Sequence, residues 1–166
     1  LKDGDIVSVD CGTLLNGFCG DSCYTFCVGE VDEETRRLLR VTEESLYKGI
    51  ENAVHGRRLG DLGNAVQTHC EQNGFGVVRE FVGHDICRNM HDAPEVPNYG
   101  QSGRGPRLLK GMTLAIEPMV NAGGAAILQL SDGWTVKTQD GKYAAHYENT
   151  ILITDGEPEI LTAPAI

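Results

Sequence analysis

Five side chains in this sequence could together hold two divalent metal ions. Four of them are carboxylates and one is an imidazole: Asp10, Asp21, His84, Glu117 and Glu148. Two cations about 3.5–4 Å apart repel each other, so bridging carboxylates are needed to keep the pair together. Mn, Fe, Co and Zn all accept a mixed shell of oxygen and imidazole ligands. The set therefore predicts a dinuclear metal centre and leaves the choice among these four metals open.

The local sequence places each candidate ligand on or beside an expected β-strand. Residues 6–11 are rich in β-branched side chains, which favours a strand ending near Asp10. Asn16-Gly17 is a hairpin turn signal, and residues 18–29 read as the returning strand, so Asp10 and Asp21 should share a face. We expect the other strands over residues 75–82, 112–120, 126–130, 134–138 and 146–154, and a loop over residues 92–107.

Two amphipathic helices are expected between the first hairpin and the strand that precedes His84. Asp32-Glu33-Glu34 places acidic groups at the positive end of the first helix, which should run to about residue 55. The side chains that form its apolar stripe recur every four residues: Leu38, Thr42, Leu46, Ile50 and Val54. A second helix is expected over residues 61–73, with Gly74 as its stop. The pattern indicates an α+β fold.

Composition excludes several classes of function. The 166 residues are enough for one domain with a core, and we expect residues 1–166 to form it. The net charge of −10, without a cluster of Lys and Arg, argues against nucleic-acid binding. No apolar run reaches the roughly 20 residues of a membrane span. The opening residues lack the apolar core of a signal peptide, so we expect a cytoplasmic protein with reduced cysteines.

Six stretches of the chain, in order, resemble the type I methionine aminopeptidases. They are Leu1-Lys-Asp-Gly-Asp-Ile-Val (1–7), Gly17-Phe-Cys-Gly-Asp-Ser (17–22), Gly83-His84 with Arg88 and His91, Ile116-Glu-Pro-Met-Val-Asn-Ala-Gly (116–123), Asp132-Gly-Trp-Thr-Val-Lys-Thr (132–138) and Ala145-His-Tyr-Glu (145–148). The resemblance implies a pita-bread fold, in which a curved antiparallel sheet carries two helices on its outer face. It also implies that this chain is the C-terminal catalytic half and lacks the N-terminal half. Because the first residue is Leu1 rather than Met, we also expect a trimmed or processed chain.

The resemblance assigns a role to each metal ligand. Asp10 would chelate one ion with both carboxylate oxygens, and Asp21 and Glu148 would bridge the pair. His84 and Glu117 would complete the shell of the other ion. Glu117 could also accept a proton from the attacking water and pass it to the leaving amine.

The same resemblance implies a substrate and the residues that contact it. The substrate would be the N-terminal methionine of nascent polypeptides, and transient association with ribosomes would suit that task, although nothing in this acidic chain indicates it. His91 would hydrogen-bond the carbonyl of the scissile peptide. Met90 and Trp134 would lie near the pocket for the methionine side chain.

Some positions depart from the family pattern. Asp85 and Cys87 stand where the family has glycines, beside His84, and Asn149 stands where it has histidine. The extra carboxylate of Asp85 could distort this loop or compete for metal. The remaining histidines, His55, His69 and His146, are expected to be structural or exposed.

Two other functions remain open at this stage. A proline-specific peptidase of the same fold would use the same five ligands, although the stretches 116–123 and 132–138 resemble the methionine enzymes more. A non-catalytic binding module that kept the fold is the alternative from a different class. Metal affinity would separate the module from both enzymes.

Overall fold

The computed structural model describes residues 1–163, and two helices and fourteen strands follow one another along them. In chain order these are β1 (Ile6–Asp10), β2 (Thr13–Leu15), β3 (Phe18–Gly20), β4 (Ser22–Cys27), α1 (Glu33–Asn52), α2 (Leu59–Gln72), β5 (Gly76–Val77), β6 (Gly83–Asp85), β7 (Asp92–Val96), β8 (Thr113–Ile116), β9 (Met119–Asn121), β10 (Ile127–Gln129), β11 (Val136–Thr138), β12 (Ala144–His146), β13 (Glu148–Leu152) and β14 (Glu159–Ile160). The mixture confirms the predicted α+β class.

A seven-stranded antiparallel sheet forms the centre of the protein. Its strand order is β1-β4-β13-β8-β6-β7, with β14 paired to β13. In the register, Cys23 of β4 lies opposite both Asp10 of β1 and Glu148 of β13. On the other side of β13, Asn149 lies opposite Ile116, the last residue of β8. The sheet therefore brings residues from distant parts of the chain to adjacent strands.

The two helices pack on this sheet through their apolar faces. Asp32 caps α1, since its Oδ1 accepts a hydrogen bond from the backbone N–H of Thr35 at 2.7 Å. Leu38 and Leu46 of α1 and Leu62 of α2 are fully buried, and burial of each contributes roughly 1.5–3 kcal/mol. Both predicted helices are confirmed, with ends within about three residues of the expected positions. Within residues 1–163, neither helix is long and apolar enough to cross a membrane.

Three of the predicted strands are broken where the sequence suggested one continuous element. The predicted strand 18–29 is divided into β3 and β4 at Asp21. The predicted strand 112–120 is divided at Glu117-Pro118, because β8 joins the central sheet whereas β9 joins the three-stranded sheet β12-β9-β5. The predicted strand 146–154 is divided at Tyr147, between β12 and β13. Each division directs the chain from one sheet to another.

Two further predictions about strands near His84 were wrong. The expected strand 75–82 is reduced to Gly76–Val77, and His84 lies inside its own strand, β6. The expected loop 92–107 begins with a strand, β7, although Pro94 lies within it. Because β7 is the last strand of the sheet order, its outer side needs no partner, and an edge strand tolerates proline. The predicted Asn-Gly turn is confirmed, with φ of 51° at Asn16 and 81° at Gly17.

Candidate metal centre

All five predicted ligands meet at one face of the central sheet. The Nε2 atom of His84 lies 3.5 Å from Oε1 of Glu117 and 4.0 Å from Oδ2 of Asp21. The ligand atoms fall into two groups, in each of which all atoms lie within 4.8 Å of one another: His84, Glu117 and Glu148, and Asp10, Asp21 and Glu148. Because Glu148 belongs to both groups, the arrangement suits two neighbouring cations that share one carboxylate.

Hydrogen bonds at the bend between β3 and β4 hold Asp21 in place. The backbone N–H of Asp21 donates to the Thr150 hydroxyl at 2.9 Å, and that hydroxyl donates to the Asp21 carbonyl at 2.9 Å. The N–H of Ser22 donates to Oδ1 of Asp21 at 3.1 Å. Thr150 lies in β13, two residues after Glu148. The bend is therefore tied directly to the strand that carries the shared carboxylate.

The imidazole of His84 is oriented for metal binding. Its Nδ1 lies 3.1 Å from the carbonyl oxygen of Asp85. A carbonyl oxygen only accepts, so Nδ1 carries the proton and Nε2 is left with a lone pair that faces the carboxylates. The backbone of Glu117 is held in place by the fully buried Asn98, whose side-chain amide donates to the Glu117 carbonyl at 3.0 Å.

The carboxylates repel one another strongly in this structure. Glu148 is 1% exposed, and its Oε1 is buried without a hydrogen-bond partner among residues 1–163. Burial, followed by the charges of Glu117, Asp21 and Asp10, raises the pKa of Glu148 to about 9. Burial and the neighbouring charge of Asp10 also raise the pKa of Asp21. A buried, unpaired carboxylate next to three others fits a site built for cations, since divalent ions would offset this repulsion.

His91 and Met90 lie beside this centre. The rings of His91 and His84 are 4.4 Å apart, and a ring nitrogen of His91 belongs to a further group of candidate ligand atoms with Asp21 and His84. His91 is exposed, so its ring faces the open side of the site. A Cβ atom built on Gly12 would lie 2.7 Å from Cε of Met90, which places that side chain over the loop after β1.

Two other predicted positions lie differently. Trp134 is 90% exposed at the tip of the β10–β11 hairpin, and its role in a pocket stays a prediction. The pKa of Asp85 is raised by burial and then by the charge of Asp92, a residue of β7. Asp85 is absent from the groups of candidate metal ligands within residues 1–163. The Asp85 carboxylate therefore interacts with Asp92 and also lies close enough to His84 to feel its charge.

One residue of the site was missed. Sequence analysis assigned no function to His146, but its Nε2 lies 3.6 Å from Oε2 of Glu117. The position of His146 two residues before Glu148 was a usable signal, because residues i and i+2 of an extended chain point to the same face.

Comparison with known proteins relates this chain to a known family. The model of metallopeptidase family M24 matches residues 1–155. A methionine aminopeptidase of Clostridium perfringens is 59% identical over 162 residues, covering 98% of this chain and 65% of the relative. Methionine aminopeptidase 1 of Bacillus subtilis is 52% identical with the same coverage. The chain thus spans about 65% of the length of these relatives.

Solved structures give the same result for the fold. The crystal structure of methionine aminopeptidase from Thermotoga maritima matches with a TM-score of 0.95 and 50% identity, over 98% of this chain and 66% of that one. A prolidase of Pyrococcus horikoshii matches with a TM-score of 0.76 and 24% identity, which indicates a shared fold. These likenesses confirm the pita-bread prediction: a curled antiparallel sheet with two helices.

Proposed function

This chain belongs to metallopeptidase family M24, and on that premise we propose that its site binds two divalent cations and removes the N-terminal methionine from peptides. The observation that supports this most directly is the pair of ligand groups that share Glu148. We propose further that residues 1–166 act as one catalytic domain and that the ions are Mn, Fe, Co or Zn.

The donor set divides naturally between two ions. Asp10, Asp21 and Glu148 would hold one, and His84, Glu117 and Glu148 the other. When bound, such ions act as Lewis acids and make a water molecule a better nucleophile near neutral pH. Four carboxylates and one neutral imidazole carry a charge of about −4, which two divalent cations would neutralise.

The side chains around this centre would carry out the proton transfers of peptide hydrolysis. Glu117 would accept the proton of the water molecule that attacks the scissile carbonyl carbon. As the C–N bond breaks, Glu117 would return this proton to the leaving nitrogen. His91, on the open side beside His84, would donate a hydrogen bond to the carbonyl oxygen, on which negative charge develops.

The first experiment measures methionine release from Met-Ala-Ser with added Mn²⁺ or Co²⁺, with and without a chelator. The Clostridium perfringens relative, assayed in parallel, shows that the conditions support this activity. We expect chelator-sensitive release by this chain, and loss of that release in Asp21→Asn. The matched control is Asp155→Asn, because Asp155 is exposed and lies outside the ligand groups of residues 1–163.

Each alternative function gives a different result in this assay. A proline-specific peptidase would cleave Ala-Pro-Ala in preference to Met-Ala-Ser. A binding module without catalysis would leave both peptides intact and would show no metal uptake by calorimetry. Full methionine release by Asp21→Asn would contradict the proposed ligand set.

A further inference from the structure

His146 is a titratable residue of the site that the proposed mechanism does not use. Its Nε2 atom is buried and has no hydrogen-bond partner within residues 1–163, although it lies 3.6 Å from Oε2 of Glu117. The side chain is 17% exposed, which is close to the 13% of Glu117. A buried polar nitrogen without a partner destabilises the folded protein, so its retention beside a carboxylate calls for an explanation.

The backbone holds this imidazole in place. The N–H of His146 donates to the hydroxyl of Thr25 at 2.9 Å, and the same hydroxyl donates to the His146 carbonyl at 2.7 Å. His146 also pairs with Met119 in the β12–β9 ladder, so it faces the break that contains Glu117. Thr25 and Met119 thus hold the backbone of His146, and the pairing of β12 with β9 brings its side chain close to Glu117.

We propose that His146 is a positioning residue for Glu117, an inference that rests on the proposed role of Glu117 as a metal ligand. In the neutral tautomer with the proton on Nε2, His146 would donate to Oε2 of Glu117 after a slight shortening of their 3.6 Å separation. This contact leaves Oε1, the oxygen 3.5 Å from Nε2 of His84, directed toward the ion position. Glu117 thus lies between two imidazoles: His84 shares the cation with it, and His146 orients it.

A second role for His146 has to be separated from this one. Ligand atoms of Asp10, Cys23 and His146 also lie within 4.8 Å of one another, so His146 could instead bind an ion itself. Binding through Cys23 would give the Co²⁺ form a sulfur-to-cobalt absorption band and a third equivalent of bound metal. A positioning residue gives neither.

The test compares metal binding by the wild-type chain with that of three variants. His146→Leu cannot donate a hydrogen bond, whereas His146→Gln keeps an N–H donor of similar reach. His69→Leu is the matched control, because His69 pairs with Glu44 on the surface of the helices, away from this site. Calorimetric titration of each metal-free protein with Mn²⁺ gives the affinity at each of the two ion positions, and thermal unfolding shows that each variant is folded.

We expect His146→Leu to weaken Mn²⁺ binding at one position about 10–100-fold, the usual effect of removing a group that orients a ligand. His146→Gln and His69→Leu should stay within about threefold of the wild type. Unchanged affinity in a folded His146→Leu variant would refute the inference, as would a third metal equivalent with a sulfur band in the Co²⁺ form. If the wild-type chain bound no Mn²⁺, the proposed function itself would fail, which is a distinguishable result.

Discussion

Replacing Glu148 by Gln should stabilise the metal-free protein and at the same time abolish its stabilisation by metal. Burial and the surrounding carboxylates raise the pKa of Glu148 from 4.5 to about 9. At pH 7 the folded protein therefore keeps this group protonated, whereas the unfolded chain ionises it. The penalty is about 1.4 kcal/mol for each of the roughly 2.5 pH units between the ordinary pKa and pH 7, or about 3.5 kcal/mol in total.

The sign of the pH dependence follows from the direction of the shift. For an acid whose folded pKa is raised, stability is lost as the pH rises from its ordinary pKa toward the folded value. The advantage of Glu148→Gln should therefore be near zero at pH 4.5, about 3.5 kcal/mol at pH 7, and larger toward pH 9. At pH 7 this corresponds to a melting temperature raised by roughly 7–14 °C.

Added metal should make the wild-type protein more stable than Glu148→Gln. Mn²⁺ at 100 times its dissociation constant stabilises a protein by about 2.7 kcal/mol per site, and the Gln variant lacks the charged oxygen that two ions would share. Thermal unfolding with EDTA and with Mn²⁺ measures both effects. Glu159→Gln is the control, since Glu159 is exposed on β14, the strand that pairs with β13, and should change neither melting temperature. A metal-free Glu148→Gln protein that melts below the wild type would refute this reasoning.

Three further substitutions test how the fold supports the site. Gly83→Ala would place a Cβ atom 2.2 Å from the carbonyl oxygen of Ala115, which should separate β6 from β8 and destabilise the protein by several kcal/mol in urea titration. The control is Gly124→Ala, which has open space around it and should change stability by less than about 1 kcal/mol. Thr150→Val keeps the shape but leaves the backbone N–H and carbonyl at the bend before β4 unpaired, so we expect a loss of about 2–3 kcal/mol and weaker Mn²⁺ binding by calorimetry. Asp61→Ala removes the acceptor for donors at the start of α2 and in the loop 102–103, and it should lower the free energy of unfolding by about 1–2 kcal/mol in urea titration. These hydrogen bonds lower the pKa of Asp61. The difference in stability from the wild type should therefore vanish as the pH falls through this lowered pKa. A wild-type stability in any of Gly83→Ala, Thr150→Val or Asp61→Ala would contradict the corresponding contact.

The helices could be predicted from the sequence because their signals are local. An acidic cap and an apolar stripe with a four-residue spacing are contained within α1 itself, and Leu38 and Leu46 are buried as that stripe requires. The Asn16-Gly17 turn is similarly local, since positive φ at both positions is a property of the dipeptide. Elements of this kind depend little on the rest of the protein.

The strand breaks are different, because the sheet that a strand joins is decided by distant partners. The apolar residues of β8 and β9 form one run around Glu117-Pro118, and this run suggested a single strand. Pro118 nevertheless argued against a single continuous strand, since proline lacks the N–H that a residue of a central strand donates. The break also has a structural consequence: Glu117 lies outside the strand ladder, and its carbonyl accepts a hydrogen bond from the side-chain amide of Asn98.

The candidate ligands could be named from their types and contexts, but the supporting residues could not. A carboxylate is unusual in a buried strand, so Asp21 and Glu148 stand out in the sequence. Thr150 and Asn98 are ordinary polar residues whose partners lie 129 and 19 positions away, and only the folded chain brings them together. His146 lies between these cases. Its spacing from Glu148 places it on the ligand face, but its neighbour Glu117 is reached only because β12 pairs with β9 across the break. Residues that orient a metal ligand are therefore best sought at positions i±2 from a predicted ligand and beside the points where strands change sheets.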